Sequence, residues 1–227
     1  MRHSGLLFYV LRNEVSMKVL VVALMSLFAI ANQALAQNQA GMADPKHAHP
    51  APGTSIVRFA QLDDGVYKGS KPKNEADYRF LQSKNIKYIL DLKFFPVLYR
   101  LEKKQAAKYG MAVIPATINA SPLAPSENHV RQILCILGDK RLRPIYFHCD
   151  VGRDRTSLIA TLYEVQYRGL SADNAWQEMK RFGFKDNWTL RGVRVYLQKH
   201  SKTPFVDGKH VCNPIPLPAL RGESSGR

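Results

Sequence analysis

The sequence predicts an α/β fold, with a single domain built on a mostly parallel central sheet flanked by helices. Two observations support this class. Short segments rich in β-branched and aromatic residues alternate with segments in which apolar residues recur at helical spacing. Strands that alternate with helices are typical of parallel sheets. The chain has 227 residues, and its length is sufficient for one domain with a sizeable core.

The predicted elements follow one another from residue 55 onward. The apolar and β-prone runs predict strands at 59–62, 65–67, 88–92, 111–115 and 145–148. Helical spacing predicts helices at 74–83, 97–109, 126–138, 156–168, 171–181 and 188–200. In the second of these helices we expect Leu98 and Leu101 to face the core.

The N-terminus has the pattern of a secretory signal peptide. Met17 and Lys18 precede an apolar run over 19–31, and Ala34-Leu35-Ala36 forms a small-x-small cleavage site. We therefore expect residues 1–36 to be removed on export, with Met17 as an alternative start of translation. The apolar run is shorter than the roughly 20 residues that span a membrane, so no integral membrane anchor is expected. Export places the protein in a bacterial periplasm or outside the cell.

Composition divides the rest of the chain and points to an anionic partner. Residues 37–53 predict a flexible leader, 54–203 the folded domain and 204–227 a Pro-rich tail. Lys and Arg total 33 against 18 Asp and Glu, for a formal charge of +15. Such an excess favours anionic ligands. Nucleic acid is not expected, because no recognised binding motif accompanies the charge.

The segment HCDVGRDRT, residues 148–156, is the most informative in the chain. It places Cys149 six positions before Arg155, between a predicted strand and a predicted helix. The backbone N–H groups of 150–155 and the helix N-terminus would then form a phosphate-binding loop. A cysteine at such an electropositive helix start is expected to be a thiolate at neutral pH, and a thiolate is a nucleophile.

Neighbouring side chains have predicted roles around this nucleophile. His148 would stabilise the thiolate. Arg155 offers a planar fork that can bind two phosphoryl oxygens and the charge that develops on them. Thr156 can donate a hydrogen bond to the sulfur when it leaves.

The pattern HC-x-x-G-x-x-R-T resembles the signature of the cysteine-dependent protein tyrosine phosphatase superfamily, and in particular its compact dual-specificity branch. The resemblance covers about 54–200, and the segments 64–72 and 86–93 are similar to parts of that branch. It implies hydrolysis of a phosphate monoester in two steps through a phosphocysteine, with no metal and no cofactor. It also extends to the exported, tyrosine-phosphatase-like inositol polyphosphatases known as phytases.

The general acid departs from the pattern of this family, which usually provides an aspartate on a loop upstream of the cysteine. No Asp occurs between Gly110 and Gly138. Asp154 is the candidate replacement, because an Asp just before the loop arginine resembles the GKDRT and GWDRT loops of lipid-active relatives. The alternative is that Asp154 only orients Arg153 or Arg155, and Asp150 is a weaker candidate for the acid.

The substrate class depends on cations near the loop. Beside the loop residues Asp150, Val151, Gly152 and Arg153, we expect four lysines at the site: Lys68, Lys71, Lys73 and Lys93. Several cations suit a substrate with several phosphates, so an inositol polyphosphate or a phosphoinositide head group is favoured. A phosphoprotein, with dual-specificity protein phosphatase activity, is the alternative. A non-catalytic anion-binding module is a lesser one. The sequence carries no signal for the oligomeric state.

The other cysteines are predicted to be structural. Cys135 lies among apolar residues at helical spacing and is expected to be a packed core thiol. A disulfide between Cys135 and Cys212 is the less favoured alternative.

Overall fold

A computed structural model describes residue 25 and residues 50–93, 95–118, 125–184, 191–200 and 212. The chain divides into two compact units, 1–43 and 44–227, and the account below concerns the second. The predicted signal peptide, except Met25, lies outside the described residues, as does most of the leader and of the tail. No described helix is both long and apolar enough to cross a membrane.

The folded unit contains five strands and six α-helices among its described residues. The strands are β1 (Ala60–Asp63), β2 (Val66–Gly69), β3 (Tyr88–Asp91), β4 (Ala112–Pro115) and β5 (Ile145–His148). The helices are α1 (Glu75–Ser83), α2 (Pro96–Ala106), α3 (Glu127–Gly138), α4 (Asp154–Arg168), α5 (Ala172–Arg181) and α6 (Arg191–His200). Short 3-10 turns follow α2 and α3, at Ala107–Tyr109 and Lys140–Leu142.

The strands form one sheet in the order β1-β2-β5-β3-β4. Only β1 is antiparallel to its neighbour, and β2, β5, β3 and β4 are mutually parallel. The predicted α/β class with a mostly parallel sheet is therefore confirmed. Gly69 and Asp91 both pair with His148, so three parallel strands end at the same edge. The carboxyl edge of such a sheet is where α/β proteins bind ligands.

The sheet is covered on both faces because its side chains alternate between them. One face packs under α1 and α2, in a cluster that includes Ile89 and Tyr146. The other packs under α3 to α6, in a larger cluster that includes Leu90 and Phe147. His148 alternates onto the α2 face as the last residue of β5.

Two expectations from the sequence are wrong. Cys135 is not a free core thiol, because it forms a disulfide with Cys212, with 5.6 Å between the two Cα atoms. In α2 the apolar residues Leu98 and Leu101 are exposed, while Glu102 and Ala106 face the core. At the end of the predicted leader, Pro50 forms an isolated β-bridge with Val57.

Candidate active site

The predicted phosphate-binding loop lies between the buried strand β5 and helix α4. Cys149 follows the strand directly, is buried and is a free thiol. Helix α4 begins at Asp154, so the loop is closed within five residues. The positive end of the α4 dipole therefore lies at the loop.

The two residues after Asp154 hold the loop in shape. The backbone N–H of Cys149 donates to the Thr156 hydroxyl at 2.7 Å, so Thr156 is joined to the nucleophile across the loop. Arg155 donates from Nε to the carbonyl of Ile118 at 3.0 Å. Ile118 lies in the segment that follows β4, so this segment holds the guanidinium of Arg155 in place.

Gly152 allows the loop to pack against β2. Its φ is +69°, in the left-handed region, and a Cβ at this position would lie 2.7 Å from the carbonyl carbon of Gly69. Lys71 also donates its backbone N–H to the carbonyl of Asp150. The end of β2 and the residues after it thus form one wall of the loop.

His148 lies in a buried acidic environment behind the nucleophile. Its Nε2 is 2.7 Å from Oε1 of Glu102, and its Nδ1 is 4.0 Å from Oδ1 of Asp91. Burial alone would lower the pKa of His148, but the negative charge of Glu102 and the contact with it, together with Asp91, raise the pKa above its ordinary value. Burial in turn opposes ionisation of Glu102, but the charge of His148 outweighs it and lowers the pKa of Glu102.

The Asp91, Glu102 and His148 side chains are close enough together, within 4.8 Å, to be considered as a metal site. Both His148 nitrogens already have partners, however, because Nδ1 is also 2.9 Å from the carbonyl oxygen of Cys149. Lys93 adds a positive charge beside the carboxylates. We therefore assign the cluster to an ion-pair network and not to a metal site.

The structure separates the four lysines predicted to bind substrate. Lys93 does reach the loop, because its Nζ lies 3.6 Å from Oδ1 of Asp150, but its side chain is only 5% exposed. Lys71 is half-buried next to the loop. Lys73 is exposed at the start of α1, where its backbone N–H donates to Asp77.

Lys68 is the exception to the predicted cation cluster. It is fully buried on the face of the sheet opposite to His148, and its Nζ lies 2.7 Å from the centroid of the Phe182 ring. Burial is the main reason that its pKa falls to about 7. Lys68 was predicted among the cations that bind substrate, and the structure encloses its side chain inside the domain.

The aspartates of the loop differ in their contacts. Asp154 accepts two hydrogen bonds from Arg153, at 3.0 Å to Oδ1 and 3.2 Å to Oδ2. Asp154 is therefore paired with a cation of the loop through both of its oxygens. Asp150 is 73% exposed on the loop. The contacts thus favour the orienting role for Asp154.

Arg58 is a site residue that sequence reasoning did not find. Its Nη1 donates to the carbonyl of Val151 in the loop, and its Nε donates to the carbonyl of Phe182. Burial lowers the pKa of Arg58, and the nearby positive charge of Arg153 lowers it further. Arg58 precedes β1 by two residues, and no motif in the sequence connects it with the loop.

Comparison with known proteins assigns the family. The model of one family, described as PTP-NADK, a DSP-PTPase phosphatase fused to NAD+ kinase, matches residues 54–191. The chain belongs to this family, and it is a cysteine-dependent phosphatase of the dual-specificity type. The resemblance noted from the sequence is thereby confirmed, and a purely binding role is set aside.

Three relatives illustrate the range of the family. The dual specificity protein phosphatase TpbA of Pseudomonas aeruginosa is 22% identical over 187 residues, which cover 80% of this chain and 79% of TpbA. A crystal structure of a TpbA variant in complex with pTyr has a TM-score of 0.51 at 21% identity, covering 69% of this chain and 86% of that one.

The names of the other two relatives indicate that they act on inositol compounds. The inositol diphosphatase DSP3 of Arabidopsis thaliana is 30% identical over 119 residues, covering 50% of this chain and 57% of DSP3. The catalytic core of the S. cerevisiae PP-IP phosphatase SIW14, solved with citrate, has a TM-score of 0.53 at 18% identity. That match covers 64% of this chain and 86% of the SIW14 chain. At this identity the structural likeness shows the fold alone.

Proposed function

We propose that this phosphatase hydrolyses phosphate monoesters of inositol polyphosphates through a phosphocysteine intermediate. The observation that carries the proposal is the placement of Cys149, Arg155 and Thr156 around one loop at the N-terminus of α4. Phosphoinositide head groups carry the same phosphorylated ring and belong to the same class of substrate.

The chemistry follows from this placement in two steps. The Cys149 thiolate attacks phosphorus, the P–S bond forms, and the bond to the substrate oxygen breaks. Arg155 and the loop stabilise the charge on the phosphoryl oxygens. Water then attacks the phosphocysteine, phosphate leaves, and the Thr156 hydroxyl donates to the departing sulfur. Asp150, exposed on the loop, is the better-placed candidate to protonate the leaving oxygen.

The preference for several phosphates rests on two arginines near the loop. Arg58 bonds to Val151 of the loop, and the charge of Arg153 is near enough to lower the pKa of Arg58. A second phosphate beside the reacting one would relieve this repulsion and gain charge-assisted hydrogen bonds. Lys71, half-buried next to the loop, and Lys73, exposed at the start of α1, add further positive charge. The names of DSP3 and SIW14 agree with such a substrate.

A phosphotyrosyl protein is the second candidate, and one observation favours it. Phe95 is 62% exposed just before α2, two residues after Lys93, which reaches the loop. An exposed aromatic ring near a phosphate site can stack on a tyrosyl ring. The TpbA structure with pTyr supports this alternative.

The deciding experiment measures phosphate release by the chain from residue 37 onward. Phytate, a soluble phosphoinositide and a phosphotyrosyl peptide are compared, with Cys149→Ser as the inactive control. We expect higher kcat/KM on the inositol compounds. A clear preference for the peptide would overturn the substrate assignment, and turnover by Cys149→Ser would overturn the phosphocysteine.

A matched pair of variants tests the second phosphate contact. Arg58→Met should raise KM for phytate by about 10-fold, the effect of losing one charge-assisted contact. KM for para-nitrophenyl phosphate, which has one phosphate, should change little. Arg79→Met, at an exposed arginine on α1, is the control. Equal effects of Arg58→Met on both substrates would contradict the contact.

We also propose that the protein works outside the cytoplasm, in the periplasm or as a secreted enzyme. The signal-like pattern of residues 1–36 and the Cys135–Cys212 disulfide support this, because disulfides persist in oxidising compartments. Cell fractionation and N-terminal sequencing test it. Recovery of chains that start at Met1 or Met17 in the cytoplasm would contradict it.

A further inference from the structure

Glu102 lies outside the phosphate-binding loop, yet its side chain contacts the residue that precedes the nucleophile. Its side chain is 0% exposed, and its Oε1 lies 2.7 Å from Nε2 of His148, which is equally buried. Glu102 comes from α2, which covers the sheet from the side. A buried carboxylate is costly unless it has a partner, so the pairing with His148 accounts for a charge inside this domain.

The contacts of His148 favour its doubly protonated state. Nε2 faces a carboxylate oxygen of Glu102, and Nδ1 faces the carbonyl oxygen of Cys149 at 2.9 Å. Both partners are acceptors. A neutral imidazole has one N–H and one lone pair, so only the doubly protonated ring can donate on both sides.

Several charged or titratable groups surround this ring, and they come from several parts of the fold. Tyr146 of β5 lies beside it, with 5.8 Å between the ring centroids. Glu102 is on α2, Asp91 ends β3, and Tyr78 is on α1 near both carboxylates. Lys93 and Lys71 supply positive charge near Glu102. At His148 burial lowers the pKa, but Glu102 and Asp91 outweigh it, and the pKa of His148 is raised overall.

We propose that Glu102 is a positioning residue for catalysis, which holds His148 as an imidazolium so that Nδ1–H donates to the backbone carbonyl of Cys149. This hydrogen bond fixes the bend at which the chain leaves β5 and enters the loop. The same Cys149 backbone is held from the other side by Thr156. The nucleophile is thus anchored at both its carbonyl and its N–H.

Loss of the proton on Nδ1 would turn this contact from attractive to repulsive. If Nδ1 carried the lone pair, it would face the lone pairs of the Cys149 carbonyl oxygen, and the peptide would have to move. A displacement of the nucleophile affects the rate far more than it affects the fold. If Glu102 has this positioning role, the effect of its removal on the rate should therefore depend on pH.

The test compares Glu102→Gln with the unchanged chain, using kcat/KM for para-nitrophenyl phosphate between about pH 5 and pH 8.5. At the acid end, where His148 is most protonated in both proteins, the two values should be closest, within about 2-fold. Near pH 8 the variant should be slower by about 10-fold, the effect of one hydrogen bond to a charged group. The state of His148 is followed in parallel by its ring ¹⁵N chemical shifts.

Two further variants separate positioning from a general loss of structure. Glu102→Asp keeps the carboxylate and should retain the pH dependence of the unchanged chain even if it unfolds more easily. In a His148→Asn background, Glu102→Gln should add no further dependence on pH. Glu75→Gln, the same change at an exposed glutamate of α1, is the matched control.

A uniform loss of activity at every pH would overturn the inference, and so would a neutral His148 ring in the unchanged protein at pH 7. The inference rests on the proposed phosphocysteine chemistry, but the chemical shifts of His148 do not require turnover. If Cys149→Ser stays active while His148 titrates as expected, the proposed function fails and the pairing of Glu102 with His148 stands.

Discussion

Two buried basic side chains flank the nucleophile from opposite faces of the sheet, and their surroundings differ. His148, on the α2 face, has a carboxylate oxygen of Glu102 at 2.7 Å. Lys68, on the face covered by α4 and α5, has the Phe182 ring at 2.7 Å from its Nζ. Within the described part of the chain, that Nζ has no hydrogen-bond partner.

The difference shows what a buried cation needs in order to stay charged. Both groups are completely buried, and burial alone lowers the pKa of each. The contact with Glu102 reverses the effect for His148, whereas the pKa of Lys68 falls to about 7 because Glu164 and Glu178 compensate only in part. A carboxylate in direct contact, and not merely a nearby negative charge, decides the outcome.

The largest effect on stability is expected from removing the carboxylate that pairs with His148. Glu102→Gln should lower the free energy of unfolding by about 3 kcal/mol near pH 6, as loss of one partner does in buried ion pairs. Because the pKa of His148 is raised in the folded state, its contribution to the free energy of unfolding is complete below about pH 6.5. This contribution is lost as the pH rises through the pKa of the folded state. Because the pKa of Glu102 is lowered in the folded state, its contribution to the free energy of unfolding is present above about pH 4.5. This contribution is lost as the pH falls through the pKa of the folded state.

Urea unfolding at a series of pH values measures this effect. The difference in the free energy of unfolding between Glu102→Gln and the unchanged chain should therefore be largest between about pH 4.5 and pH 6.5. It should become smaller at lower and at higher pH. A difference that stays constant with pH would show that the pair does not act through ionisation.

A smaller effect on stability, of opposite sign, is expected from removing the buried ammonium group of Lys68. Lys68→Met keeps the length of the side chain and removes a buried ammonium, so it should raise the free energy of unfolding by about 1 kcal/mol near pH 6. The folded-state pKa of about 7 lies below the ordinary 10.5, so the cost of charge is complete below pH 7 and fades as pH rises toward 10.5.

The gain in Lys68→Met should accordingly decline between about pH 7 and pH 10 in urea unfolding. Lys73→Met, at an exposed lysine nearby, is the control. Destabilisation by Lys68→Met at pH 6 would indicate that the cation over Phe182 stabilises the fold, contrary to the comparison.

The smallest effect is expected for a pair on the surface. Glu75 and Arg79 are four residues apart on α1, and both side chains are more than half exposed. Water and salt screen such pairs, so Glu75→Gln should leave the urea midpoint within the error of the measurement. A loss as large as that of Glu102→Gln would contradict the argument that burial gives the pairing its strength.

The sequence predicted the elements of this fold well but did not predict which polar residues lie inside. Each β-strand and α-helix among the described residues begins and ends within a few residues of its predicted bounds, because the apolar periodicity is strong. The order of the strands, with β5 between β2 and β3, depends on contacts between distant segments and was not predicted.

Helix α2 shows why the interior polar residues escaped prediction. Apolar residues were assigned to its inner face, yet the inner face carries Glu102, and Leu98 and Leu101 are exposed. A glutamate is buried only when a partner is present, and here the partner comes from β5. The burial of Lys68 was not predicted either, because a lone lysine in a strand gives no sign of its surroundings. Cys149 and Arg155 were easier to find, since their spacing is local.

The Cys135–Cys212 disulfide also determines how the nucleophile responds to oxidation. The sequence contains three cysteines, and two of them are consumed by this bond. Cys149 consequently has no thiol within its own chain that could form a disulfide with it. If Cys149 is oxidised to a sulfenic acid, its recovery depends on an external thiol, and without one the oxidation proceeds toward irreversible products.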